Sequence, residues 1–304
     1  MGESVPMSAD RPGSGLLTNP HADRVKAVRG LSTRSARRRA GRYLVEGPQA
    51  VREIVHWAPE QVLDVYLTPE AADRYPEIVS DARVADRHLH LGDEAVLAAM
   101  SPDAQGVLAV AAPPASVAAV GPLGADALDA VLATRPRLVA VLAQVRDPGN
   151  AGTVIRVADA AGADAVVLAG DSVEVTNPKV VRSTVGSLFH LPVVSGVPVD
   201  TAVDALRAAG LTVLAADGAG QHDLDDLQDA AVRGGVRAAG GGPAAPDLHA
   251  PTAWLFGNEA WGLPAEDAAR ADAVVRVPLR GRAESLNLGT AAAVCLYASS
   301  RAHR

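Results

Sequence analysis

Three short segments of this chain hold polar residues at spacings that chemistry can use. The first is Gln144-Val145-Arg146-Asp147-Pro148-Gly149-Asn150-Ala151-Gly152, which runs on to Arg156. An apolar stretch ends, a Pro-Gly turn follows, and Asn150 stands where the N-cap of a helix is expected. Helix N-termini attract phosphates, and Arg156, about one and two-thirds turns further on, stays near that end. The second is Leu255-Phe256-Gly257-Asn258-Glu259-Ala260-Trp261-Gly262-Leu263-Pro264. Gly257 permits a ligand to approach the backbone, and Asn258 and Glu259 put an amide and a carboxylate just beyond a strand. The third runs from Val277-Pro278-Leu279 through Arg280-Gly281-Arg282-Ala283-Glu284 into Ser285-Leu286-Asn287-Leu288-Gly289. Here Ser285 reads as the N-cap of a last helix rich in small residues. Taken singly, each segment is equally well explained as a capped helix, a tight turn or an Ala-rich core helix.

Other chemistries find little support. The eight histidines are scattered, and only His88 and His90 lie close together, without a third ligand. Cys295 is the single cysteine, so no intrachain disulfide and no cysteine-based zinc site is expected. No metal is expected. Aromatics make up 3% of the chain, too few for a surface of many base-stacking platforms. The net charge is −7, but the mean conceals an asymmetry. Between Arg24 and Arg42 stand Lys26, Arg29, Arg34, Arg37, Arg38 and Arg39 with no acidic residue. Screening confines each charge to about 10 Å, so this run can contact RNA phosphates whatever the total. Arg182 is a second candidate for phosphate.

These residues need elements to position them. Residues 1–17, rich in Gly, Ser and Pro, read as a disordered tail. Residues 18–112 read as a small α/β domain that opens with a basic helix, and 113–136 as a linker. From 137 to 304, near-continuous apolar strands alternate with helices. That pattern means a parallel sheet with helices on both faces. Helices are expected at 177–188 and 285–301, among others, and 219–250 reads as a mobile insertion without periodicity. No apolar run is long enough to span a membrane, and the N-terminus lacks the features of a signal peptide. A cytoplasmic protein is expected.

In their order and co-occurrence, the three segments resemble the SpoU (TrmH-like) branch of the SPOUT RNA methyltransferases. The matching residues are Asn150 and Arg156, then Gly257 to Leu263, then Ser285, Leu286 and Asn287. The resemblance covers about residues 137–301. The N-terminal half is similar to the ribosomal-protein-like substrate-binding domain of rRNA-modifying members, on its element order and on Val45-Glu46-Gly47.

The resemblance implies an α/β fold whose C-terminal sheet ends in a trefoil knot, preceded by a small α/β substrate-binding domain. It implies S-adenosyl-L-methionine as cofactor, held by Gly257, Val277 and Leu286, with further contact from Leu214 and Ala216 near 214–217. It implies a homodimer with the site at the interface, a role suited to the small face of the last helix. Arg156, Asn150, Glu259, Ser285 and Asn287 would carry catalysis, and Arg24, Arg34, Arg37, Arg38, Arg39 and Arg182 would bind RNA. The implied reaction is methylation of a ribose 2′-oxygen. rRNA is favoured over tRNA because a separate N-terminal domain is present. A non-catalytic RNA-binding module is the first rival, but it has no reason to keep Asn150, Arg156, Glu259 and Asn287 together. A dinucleotide oxidoreductase ranks lower, since no Gly-x-Gly-x-x-Gly follows the strand at 138–143.

Overall fold

The computed structural model describes residues 15–118, 122–233, 245–258 and 260–304. The chain divides into two compact units between Ala112 and Pro113.

In the first unit, α1 (Asp23–Gly30) and α2 (Arg34–Ala40) precede β1 (Tyr43–Glu46), α3 (Pro48–Trp57), β2 (Val62–Leu67), α4 (Pro69–Arg74) and α5 (Pro76–Val84). Then come β3 (His88–Leu91), α6 (Glu94–Met100) and β4 (Val107–Ala111). The strand order is β1-β4-β2-β3, with β4 antiparallel to both neighbours and β2 parallel to β3. Central β4 is buried at every position, hence its unbroken apolar sequence. Prolines open α3, α4 and α5, where a missing N–H costs no helix bond. Val45-Glu46-Gly47 has a structural task. The buried Glu46 accepts the Ser101 hydroxyl at 2.6 Å, and Gly47, at φ +85°, turns β1 into α3. Most of the expected tail, residues 1–14, lies outside the described residues. Leu17 is not part of a free tail, because its N–H donates to Leu91 O at 2.8 Å and its carbonyl accepts from Asp93 N–H.

The second unit begins with α7 (Ala115–Ala118) and α8 (Pro122–Leu132), so the expected linker 113–136 is largely helical and belongs to this unit. Leu128 and Val131 of α8 are buried in its core. The Pro and Gly residues at 113–124 masked an ordinary apolar face. The chain continues through β5 (Leu138–Ala143), α9 (Pro148–Ala160), β6 (Ala165–Ala169), α10 (Pro178–Thr184), β7 (Val193–Val197), α11 (Val199–Ala208) and β8 (Thr212–Ala216). It ends with β9 (His222–Asp223), α12 (Leu224–Val232), β10 (Thr252–Phe256), α13 (Ala265–Ala268), β11 (Ala273–Arg276) and α14 (Leu288–Ala302). The seven strands run in the order β7-β6-β5-β10-β8-β11-β9, and every pairing is parallel.

Both faces of this sheet are covered. Leu138, Ala140 and Leu142 of β5 and Trp254 and Phe256 of β10 pack with α9, α12 and α14. The alternate residues Val139, Val141, Ala253 and Leu255 pack with α8 and α11. A strand buried on both sides has no polar position to show, so these strands read as continuous apolar runs. The Trp254 indole N–H donates to Ser299 Oγ at 2.9 Å, which satisfies this buried donor.

Two further expectations change. The helix expected over 177–188 stops at Thr184, because Val185 and Gly186 adopt positive φ of 55° and 101°. The stretch 219–250 is not a free insertion at its flanks. Leu224 and Leu227 of α12, and Leu248, are buried in the main core, while residues 234–244 lie outside the described part. No helix among the described residues is long and apolar enough to cross a membrane.

Candidate active site

The second unit's strand order reverses between β5 and β10: from β5 the chain moves outward to β6 and β7, while β8, β10 and β11 lie on the other side. Open parallel sheets bind ligands beyond the strand ends at such a point. All three polar segments leave the sheet there, after β5, β10 and β11.

The segment after β10 forms a tight turn. Asn258 N–H donates to Gly262 O at 3.0 Å and Gly262 N–H to Asn258 O at 2.9 Å, with Gly262 at φ +69°. A Cβ on Gly257 would land on the backbone of Gly262 and Leu263. The glycine is therefore needed first for the loop's own closure. Asn258, 5% exposed, ties this loop to the first segment. Its Nδ2 donates to Gln144 O at 2.7 Å and its Oδ1 accepts from Ala260 N–H at 2.9 Å. Gln144 itself sits at φ +55°, a conformation that non-glycine residues hold only when their surroundings fix it.

Capping differs from the sequence reading at both helices. Asp147, not Asn150, caps α9, accepting from Asn150 N–H at 2.7 Å. Asn287, not Ser285, caps α14, accepting from Gly289 N–H at 2.9 Å. The amide of Asn287 has a second task. Its Nδ2 donates to Asn150 Oδ1 at 2.9 Å, joining the third segment to the first. The small residues of α14 serve packing within the chain: a Cβ on Gly289 would come within 2.5 Å of Thr153 on α9.

Between these loops lies a cavity of about 560 Å³. Of the expected cofactor contacts, Ala216, Gly257, Val277 and Leu286 line it, as do Ser285 and Asn287. Leu214 does not. It lies two residues before the end of β8, between Trp254 and Ala273 on the neighbouring strands, and is fully buried in the core. Asn150 does not line the cavity but is hydrogen-bonded to Asn287, which does, and Arg156 stands outside the lining, exposed on α9. Among the described residues Arg156 has no hydrogen-bond or ion-pair partner. Glu259 lies outside the described residues. Asp217, the last residue of the expected stretch 214–217, lines it too, whereas sequence reasoning missed Gly218 and Glu284, which also line the cavity. The signal for Gly218 was its place directly after an apolar strand that ends at the same edge.

The profile of the SpoU rRNA Methylase family matches residues 137–297. The chain belongs to the SpoU rRNA methylase family. A second profile, RNA 2′-O ribose methyltransferase substrate binding, matches residues 44–117. A 23S rRNA (guanosine(2553)-2′-O)-methyltransferase, RlmP, of Bacillus subtilis is 31% identical over 277 residues, covering 90% of this chain and 94% of the relative. A 23S rRNA (uridine(2479)-2′-O)-methyltransferase of Streptomyces viridochromogenes is 33% identical over 277 residues, covering 89% and 86%. Two solved structures are similar over the whole fold. The AdoMet-bound rRNA methyltransferase from Sinorhizobium meliloti has a TM-score of 0.73 at 26% identity, over 94% of this chain and 97% of that one. The SpoU methyltransferase AviRb from Streptomyces viridochromogenes, in complex with AdoMet, has 0.71 at 30%, over 92% and 98%.

In this SpoU chain the basic run of the first unit divides sharply. Arg24, Arg34, Arg38 and Arg39 are exposed, but Arg37 is 5% exposed. Its Nη1 donates to the carbonyls of Leu31 at 3.1 Å and Ser32 at 3.0 Å. Arg37 therefore holds the connection between α1 and α2 and is withdrawn from the RNA-binding set. Arg24 donates to His90 Nδ1 at 3.2 Å, and His90 Nε2 pairs with Asp64 at 2.7 Å. That hydrogen bond, with help from the nearby Arg24 guanidinium, holds Asp64 below the usual carboxylate range against the opposing effect of burial. Arg182 is half-buried in the last turn of α10. Among the described residues no group of three or more His, Cys, Asp or Glu side chains could hold a metal.

Proposed function

We propose that the protein transfers a methyl group from S-adenosylmethionine to a ribose 2′-oxygen of 23S rRNA, in the cytoplasm. The observation that carries this reading is the cavity that the second and third family segments line at the strand ends, with the first segment tied to both by the Gln144–Asn258 and Asn150–Asn287 hydrogen bonds. Its lining suits the cofactor. Leu263, Leu279, Leu286 and Leu288 offer apolar walls for a flat base, and Asp217 and Glu284 offer carboxylates for a ribose diol or a cationic tail. A Cβ on Gly218 would meet nothing within 4 Å, so this stretch leaves room for a ligand beside the backbone. Among relatives, the Bacillus subtilis and Streptomyces viridochromogenes proteins are named 23S rRNA 2′-O-methyltransferases.

The bound cofactor supplies an already activated methyl group. The chain must bring the 2′-oxygen into line and stabilise charge as its proton leaves. Arg156 suits that stabilisation, since its planar guanidinium carries a positive charge and offers several donors in a fixed fork. Asn287 and Asn150 form an amide pair between the cavity rim and α9, and Ser285 sits on the rim beside them. Because Arg156 lies outside the lining of its own chain's cavity, we read the site as completed in a homodimer. The exposed Val294 and Tyr297 of α14 are the apolar surface for it. The trefoil knot is part of the same reading, supported by β10 lying between β5 and β8 while the later β11 and α14 return to flank them.

The test is calorimetric titration with S-adenosylmethionine, NAD serving as control, followed by ribose-methylation mapping of rRNA and tRNA from a deletion strain. We expect cofactor binding and one missing mark in 23S rRNA. A mark missing only from tRNA, or NAD binding without S-adenosylmethionine binding, would overturn the assignment.

A further inference from the structure

The aromatic residues of the second unit's core are hidden, with Trp254 and Phe256 at 1% exposure or less. Trp261 is 51% exposed. It stands in the turn between Asn258 and Gly262, flanked by Ala260 and Gly262, which both line the cavity. The turn is closed by its two backbone hydrogen bonds and anchored through Asn258 to Gln144. The indole is thus presented by a braced support. The guanidinium carbon of Arg146 lies over the ring, 5.3 Å from its centroid, within range of a cation–π contact. Arg146 is held in turn by Asp171 at 2.8 Å. One flat cation from the first segment covers the ring, and half of the residue stays open to solvent.

We infer that Trp261 and Arg146 form a stacking subsite for one unpaired nucleobase of the RNA substrate, beside the ribose that accepts the methyl group. The inference rests on the methyltransferase reading above. A 2′-oxygen presented to the cavity must belong to a nucleotide brought to this rim, and a base taken out of its own stack regains contact on an aromatic face. Such stacking tolerates any base and favours the larger purines. The guanidinium on the ring adds positive charge where the neighbouring phosphate passes. A single indole with one arginine is far smaller than the roughly 800 Å² per partner of a stable protein interface, which favours a base over a protein chain.

The full chain contains three tryptophans. Trp254 is fully buried and Trp57 is exposed in the first unit, so in a Trp57→Phe background the solvent-accessible emission comes from Trp261. We expect an oligoadenylate to quench this emission and the ribose-phosphate chain without bases to leave it unchanged. Trp261→Ala should weaken oligoadenylate binding about tenfold, or about 1.4 kcal/mol. Trp261→Phe should keep most of the affinity, and both variants should bind S-adenosylmethionine and melt as the parent does. Unquenched emission, or unchanged RNA affinity in Trp261→Ala, overturns the subsite. So does loss of self-association with RNA affinity intact, which would place the ring against a second copy. Quenching by oligoadenylate in a protein that binds no S-adenosylmethionine overturns the methyltransferase reading and leaves the subsite standing.

Discussion

Arg156 in the second unit and Arg37 in the first are both arginines that a sequence reader would give to RNA, and the structure puts them in opposite situations. Arg156 is exposed on α9, with no partner among the described residues. Arg37 is buried, with two backbone carbonyls bound to one nitrogen. The difference lies in what singles them out. Arg156 stands out by its place after a strand, a turn and a helix start, a context that fixes geometry. Arg37 stands out only in a count of charges, and a count does not say which side of a short helix faces inward. In the run from Arg37 to Arg39, neighbours about 100° apart on the helix have different fates.

The largest effect is expected at Arg156. Arg156→Ala should lower methyl transfer about 10²-fold or more, the loss seen when a donor to a developing oxyanion is removed. Arg156→Lys should also be poor, since an ammonium cannot reproduce the planar fork. Cofactor affinity and melting temperature should stay unchanged, because the side chain touches neither cavity nor core. Tritiated methyl incorporation into rRNA, read beside cofactor titration, checks both. Mixing Arg156→Ala subunits with subunits whose cavity is blocked by Gly218→Trp should restore part of the activity if the site is completed across a dimer. Near-normal turnover in Arg156→Ala would move the reaction to the residues on the cavity rim.

The same contrast can be sharpened inside the basic run. Arg37→Ala leaves the Leu31 and Ser32 carbonyls without their donor, and should cost about 1–3 kcal/mol of stability. The paired change Arg38→Glu, Arg39→Glu should leave denaturation unchanged and weaken RNA binding. It should also flatten the salt dependence, by roughly one unit of slope for each phosphate no longer neutralised. Urea unfolding and filter binding across a salt series separate the two. Equal effects of both variants on RNA binding alone would return Arg37 to the phosphate-binding set.

What was legible follows the same line. The parallel sheet could be read because strands buried on both faces leave continuous apolar runs, as in Leu138–Ala143. Part of the cavity wall could be read because the motifs put Gly257 and Val277 directly after β10 and β11 and Leu286 just before α14. Leu214 was misplaced because two residues of rise along β8 carry a side chain from the rim into the core. Asn150 and Ser285 were given caps that belong to Asp147 and Asn287. A helix start can hold several cap-competent residues within one turn, and only the backbone angles choose between them. The linker and insertion readings failed where Gly and Pro sit beside short apolar faces, at Leu128 in α8 and Leu224 in α12.

The smallest expected effect concerns the charge that Arg24 meets in the first unit. His90 accepts at Nδ1 from Arg24 and so donates its Nε2 proton to Asp64, an arrangement of the neutral ring inferred from the two contacts. The His90 ring also stacks on Tyr66, 4.8 Å between centroids, which fixes its plane. Asp64 is held below its ordinary range chiefly by the His90 hydrogen bond. A carboxylate whose folded-state pKa is depressed stabilises the fold fully above its unfolded value, about 3.9. The contribution disappears as pH falls through the lower folded value. Asp64→Asn keeps an acceptor but loses the charge, so it should cost only about 1 kcal/mol at neutral pH. Wild type and variant should converge in stability once the pH drops well below about 3.9. Urea unfolding of both proteins from neutral to acid pH measures the gap. A gap that persists unchanged in acid would mean that Asp64 acts through packing, with Arg24 held by the histidine alone.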